Sequence, residues 1–193
     1  MNKTLFRRLE AVGGVVVYLI TSFLHFFYDL SGQSITGALL GSVNESVWEH
    51  LKIFAIAYII WAVTELLWAK PPLKAFAVAK TVGLYSLCTS IALFFYIYTF
   101  FTGRAILAID LIASFLFTLS AHFISYKLTL SDKNQGQFFC TALSLIFIAF
   151  VMILCFTYYP PQNTLFRDPE TGMYGVSAKI YTADICSSSL IPF

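Results

Sequence analysis

The stretch Ser42-Val43-Asn44-Glu45-Ser46-Val47-Trp48-Glu49-His50-Leu51-Lys52 places two carboxylates four residues apart, an imidazole and an ammonium at the mouth of a long apolar run. Imidazole and carboxylate together suit zinc or another divalent first-row metal. A spare glutamate in such a set could act as general base on a metal-bound water. His25 and Asp29 stand one helical turn apart at the end of an earlier apolar run, and Asp110 lies just inside a later one. The candidate ion or ligand cluster is therefore His25, Asp29, Glu45, Glu49, His50 and Asp110, with His25, Glu49 and His50 the best metal ligands. Glu65 and His122 form a second candidate pair at the opposite end of the spans. Glu65 has Lys70 and Lys80 as alternative partners. Asp110 needs a proton or a cation, for which His25, Lys52 and Arg104 are in range.

Bland explanations compete for the same residues. Ser42-x-x-Glu45 has the form of a capping box, and acids in a first turn are favoured by the helix dipole. Capping accounts for Glu45 and leaves Glu49 less explained. Helical spacing puts Glu45 and Glu49 on one face with Lys52 beside them, and turns His50 about a quarter-turn away. No H-E-x-x-H spacing occurs, so a metal site would have to be assembled from separate helices.

The elements that must position these groups are membrane helices. The 193 residues are 59% hydrophobic and 11% charged, and the mean hydropathy is +0.78. A soluble globule of this composition would expose large apolar areas. Apolar runs predict five spans at about 11–29, 48–68, 81–101, 105–126 and 138–158. Trp48 and Trp68 lie 20 positions apart, about 30 Å along a helix, and so mark the two edges of one span. The fold class expected is an all-α polytopic membrane helix bundle: a five-helix domain over 1–159, then an extracytoplasmic tail over 160–193. Residues 30–44 form a Gly- and Ser-rich loop that should skim the interface.

The Lys and Arg residues set the orientation. An inside N-terminus puts Lys3, Arg7, Arg8, Lys70, Lys74, Lys80, Lys127 and Lys133 inside, against Lys52, Arg104, Arg167 and Lys179 outside. The tail and the Ser42–Lys52 stretch are then on the outer face. Within the spans, Tyr18, Thr21, Ser22 and His25 form one polar stripe and Asp110, Ser114, Thr118, Ala121 and Ser125 another, both expected to face other helices. Cys88, Cys140 and Cys155 sit in apolar runs as small hydrophobes, and Cys186 stands alone in the tail. Net charge is +2, with no basic stripe for nucleic acid. Phosphate-loop, dinucleotide, nucleophile-elbow and haem-attachment motifs are missing, and His25 and His122 differ too much in depth to share a haem.

His25-Phe26-Phe27-Tyr28-Asp29-Leu30-Ser31-Gly32, Val43 to Lys52 and Asp168-Pro169-Glu170-Thr171-Gly172-Met173-Tyr174-Gly175 together resemble an uncharacterised family of small bacterial multi-pass membrane proteins. The Asn44-Glu45-Ser46-x-Trp48-Glu49-His50 segment is the most specific part. The resemblance implies a bacterial cytoplasmic membrane protein and no particular activity. It also implies that His25, Glu45, Trp48, Glu49 and His50 belong to one design. The function expected is handling of an ion or small ligand at the outer His/carboxylate cluster, as a metal or proton site or in transport. A membrane-embedded metal-dependent hydrolase is one alternative. A non-catalytic sensor or assembly subunit is another. The bilayer is the expected partner, with a homodimer or a second membrane protein as further company. A reporter domain fused after Pro161 is expected outside the cytoplasm; a cytoplasmic reporter would sink this topology.

Overall fold

The computed structural model describes residues 1–131 and 135–176. Cys186, and Lys133 and Lys179 of the orientation argument, lie outside the described residues. The helices are α1 (Lys3–Leu30), α2 (Ile35–Leu40), α3 (Val47–Ala69), α4 (Leu73–Thr102), α5 (Leu107–Thr129) and α6 (Phe139–Tyr158), the last preceded by a 3-10 turn, Gln135–Phe138. All but α2 are long and apolar enough to cross a membrane. The protein is an all-α polytopic membrane bundle, with no strand among the described residues beyond one isolated bridge, Arg167 to Tyr174.

Three helices reach further than their apolar runs suggest, and two of the extensions carry a charged group into the fold. Asn2 accepts the Leu5 N–H at 3.0 Å, so α1 starts at Lys3 rather than near residue 11, and Glu10 becomes helical. Pro72 opens α4, where it leaves no donor unmet; the Phe76 N–H bonds its carbonyl at 2.9 Å, and Lys80 enters a helix expected to begin at 81. α5 continues to Thr129 and carries Lys127 in its last turn, where a cation is favoured.

The chain packs as two units. The first comprises Met1–Thr21 and Phe54–Ile148. Gly103, at φ +70°, ends α4 in the left-handed conformation and returns its N–H to Thr99 at 2.8 Å. Tyr98 pins this turn: its hydroxyl accepts the Ile106 N–H at 3.0 Å and donates to Asp110 at 2.7 Å. The start of α6 is tied to α4 by the Tyr85 hydroxyl, which donates to the Leu145 carbonyl at 2.9 Å. Ser114, Thr118, Ala121, His122 and Ser125 are buried on α5, the stripe expected to face helices.

The second unit comprises Ser22–Ile53 and the described residues from Ala149 onward. Its centre is Lys52. The ammonium is fully buried, 2.6 Å from Glu49 Oε2, and donates to the Ala38 carbonyl at 2.8 Å and the Thr157 hydroxyl at 3.3 Å. Glu49 Oε2 also accepts the Val43 N–H at 2.9 Å. One ion pair thus holds the residue 30–44 loop, with its short helix α2, against α3 and α6. The tail follows: the Leu165 carbonyl accepts the Trp48 N–H at 2.9 Å, and the Trp48 ring packs on Phe156 and Phe166 at 5.3 and 5.0 Å.

Asp168 then closes a turn, accepting the Thr171 hydroxyl at 2.5 Å, and Asn44 donates to the Gly175 carbonyl at 3.0 Å. Glu49→Gln would leave the buried Lys52 ammonium without its counter-charge, a loss worth about 3–5 kcal/mol. Thermal unfolding in detergent should show that variant strongly destabilised. Glu45→Gln, on a partly exposed side chain, should stay within about 0.5 kcal/mol of wild type.

Candidate functional site

The start of α3 decides which carboxylate is available for chemistry. The helix begins at Val47, and the Ser46 hydroxyl accepts the Glu49 N–H at 3.4 Å. The S-x-x-E cap is therefore Ser46 to Glu49, one turn later than the Ser42 to Glu45 box the sequence suggests. Asn44 prepares it by accepting the Ser46 N–H at 2.9 Å, while the Ser42 hydroxyl donates to the Asn44 carbonyl at 2.7 Å. This corrects the roles of the two glutamates. Glu49, expected as a metal ligand, is the buried partner of Lys52. Glu45, expected as a cap, lies outside the helix and faces two imidazoles.

Those imidazoles are His25 and His50. Glu45 Oε1 is 3.6 Å from His25 Nε2, and Oε2 is 3.6 Å from His50 Nε2. The two rings are 5.3 Å apart and inclined by 33°. One ligand atom from each of His25, Glu45 and His50 can be chosen so that all three lie within 4.8 Å of one another. His50 does not turn away from the glutamates, because Glu45, being non-helical, is free of the spacing that put it on another face. His50 Nδ1 lies 2.9 Å from the Ser46 carbonyl, an acceptor only. Nδ1 therefore donates there, and Nε2 is the nitrogen that faces Glu45. The side chains of His25, Glu45 and His50 are 27%, 43% and 36% exposed. Asp29, at the end of α1, is exposed. Asp110, for which a proton or a cation was expected, accepts a hydrogen bond from Tyr98.

A second constellation lies in the first unit, and every ionisable group in it is buried. Lys80 Nζ is 3.0 Å from Glu10 Oε1 and is also ion-paired with Glu65 Oε2. His122 Nδ1 is 2.8 Å from Glu10 Oε2 and 4.0 Å from Glu65 Oε1. The Ser125 hydroxyl donates to Glu10 Oε1 at 2.8 Å. Tyr58 covers the group, its ring 5.0 Å from His122 and 5.2 Å from the Lys80 ammonium. Glu65 and His122 do come together, with Lys80 and not Lys70 as the cation. Glu10 was missed: it ends the charged N-terminal segment, and the signal that places it inside is the Asn2 cap that starts α1 early.

The spacing within each helix explains why this cluster is dry. Phe6, Ala69, Phe76 and Tyr126 pack together, and each stands four residues nearer a helix end than Glu10, Glu65, Lys80 and His122 respectively. Residues four apart are stacked along one face, so an aromatic layer caps the charged layer. On the far side, a Cβ on Gly13 would lie 2.3 Å from Trp61 Nε1 and 2.6 Å from His122 Cε1, and one on Gly83 would lie 2.2 Å from the Tyr58 hydroxyl. Glycine at both positions lets these rings close over the charges.

No match was found to curated proteins or to solved structures. Residues 3–176, which take in both constellations, match a family of unknown function, DUF6512, and the chain belongs to that family.

Proposed function

We propose that this membrane protein binds a divalent first-row transition metal ion at His25, Glu45 and His50. The observation that carries the reading is the separation of the ligand atoms. At 3.6 Å, Glu45 is too far from either Nε2 for a hydrogen bond. Ligand atoms about 2.0–2.2 Å from a tetrahedral ion stand roughly 3.3–3.6 Å from one another. The Ser46 carbonyl that fixes the His50 tautomer supports the same reading, since ligating histidines commonly donate their other ring N–H to a carbonyl or carboxylate.

Two imidazoles and one carboxylate leave a coordination position open to water or a transported or sensed ligand. Partial exposure favours an ion that is exchanged over one sealed in place. Metal-dependent hydrolysis is the weaker reading, because Glu49 is tied to Lys52 and is not available as the spare glutamate that would act as base. The Lys and Arg bias supports a site on the extracytoplasmic side of the membrane.

The test is titration of chelator-stripped protein in detergent with Zn²⁺ by calorimetry and with Co²⁺ by visible absorption. One ion per chain is expected, with a tetrahedral Co²⁺ spectrum. His25→Ala, His50→Ala and Glu45→Gln should each weaken binding by more than about a hundredfold, beyond what loss of a merely orienting partner costs. Binding should also fall in acid, because imidazole ligates only when neutral. Unchanged binding in all three variants would rule the site out.

A further inference from the structure

We propose that Glu65 is a proton-binding site inside the membrane domain, holding one exchangeable proton in the cluster it forms with Glu10, Lys80 and His122. The argument is charge balance in a dry place. Two carboxylates share one ammonium, because Lys80 pairs with both Glu10 and Glu65. With His122 neutral the cluster carries one uncompensated negative charge. The four side chains are at most 5% exposed, and an isolated charge at such depth is removed by protonation rather than tolerated. One proton makes the cluster neutral.

The hydrogen bonds say which carboxylate takes it. Glu10 is surrounded by donors: the Ser125 hydroxyl, the His122 Nδ1–H and the Lys80 ammonium, at 2.8, 2.8 and 3.0 Å. Three such donors hold a carboxylate in its ionised form. Glu65 is ion-paired with Lys80 and stands 4.0 Å from His122 Nδ1, and neither of its oxygens accepts a further hydrogen bond. The nearby Trp61 N–H is directed to the Leu9 carbonyl at 3.3 Å. His122 offers an alternative resting place for the proton, but its Nε2 is buried with no hydrogen-bond partner, so an N–H there would be unsatisfied. The groups facing Glu65 are thus Glu10 from α1, Lys80 from α4, His122 from α5 and Tyr58 from its own helix.

A metal ion is the other occupant that Glu10, Glu65 and His122 could hold. Lys80 argues against it, because its ammonium already occupies the cation's place between the two carboxylates. The step proposed is uptake of one proton onto a Glu65 oxygen and its return, with no other bond changed. It stands independently of the metal reading of the second unit.

The test is infrared spectroscopy of the full chain in detergent, titrated across the range in which it stays folded. Wild type should show one carboxylic C=O band from a buried glutamic acid that shifts with ¹³C-glutamate and is lost as pH rises. Glu65→Gln, a neutral isostere, should fold and lose that band completely. Glu10→Gln should lose it too, because Lys80 then has Glu65 to itself and the excess charge is gone.

Folding of each variant is checked by near-ultraviolet circular dichroism. Excess Zn²⁺ should leave the wild-type band in place. The proposal is overturned by a wild-type spectrum with no such band at any pH, by a band that survives Glu65→Gln, or by a band that Zn²⁺ abolishes.

Discussion

Two lysines buried inside an apolar bundle impose the main constraint on this protein, because each must be neutralised where it stands. Lys80 does so with Glu10 and Glu65, and Lys52 with Glu49. Taking such ions out of water costs several kcal/mol apiece, and the pairing repays it only with short contacts and further hydrogen bonds. The secondary structure is arranged to supply them. α1 must start early enough to carry Glu10, α4 must start at Pro72 to carry Lys80, and the residue 30–44 loop must bring the Ala38 carbonyl to Lys52. The Lys80 pairs join α1, α3 and α4, and Lys52 reaches beyond α3 through its hydrogen bonds to Ala38 and Thr157.

The same constraint separates the two glutamates of the central motif. Glu49 is consumed by Lys52 and by the Val43 N–H. With Ser46 capping α3, Glu45 is left outside the helix beside two imidazoles. Surface pairs of this kind contribute little to stability, so nothing in packing requires His25, Glu45 and His50 to converge. The two neighbouring acids thus part ways: buried Glu49 holds the frame, and Glu45 stands partly exposed beside His25 and His50.

Much of this was legible in the residues. Hydropathy and the Trp48–Trp68 interval define five helices, and the buried stripe on α5 follows from periodicity alone. His25, Glu45 and His50 were all recognisable as candidates, as were Glu65 and His122. What the sequence could not separate was Ser42-x-x-Glu45 from Ser46-x-x-Glu49: both fit a capping box, and the choice depends on the burial of Lys52, which pairs with Glu49 one turn before it on the same helix. Glu10 was hidden for a related reason. It belongs by composition to a charged leader, and only the Asn2 cap reveals that the leader is helical.

The two constellations use similar residues to opposite ends, and solvent makes the difference. Around Glu45 the imidazoles are partly exposed. Around Glu65 the aromatic layer of Phe6, Phe76 and Tyr126 excludes water, and every charge must be matched from within. There the internal ammonium of Lys80 stands where a metal would otherwise bind, and the proton is the smallest ligand that corrects the remaining imbalance. On the two proposals, a carboxylate–imidazole set takes a metal or a proton according to whether the fold supplies its own cation.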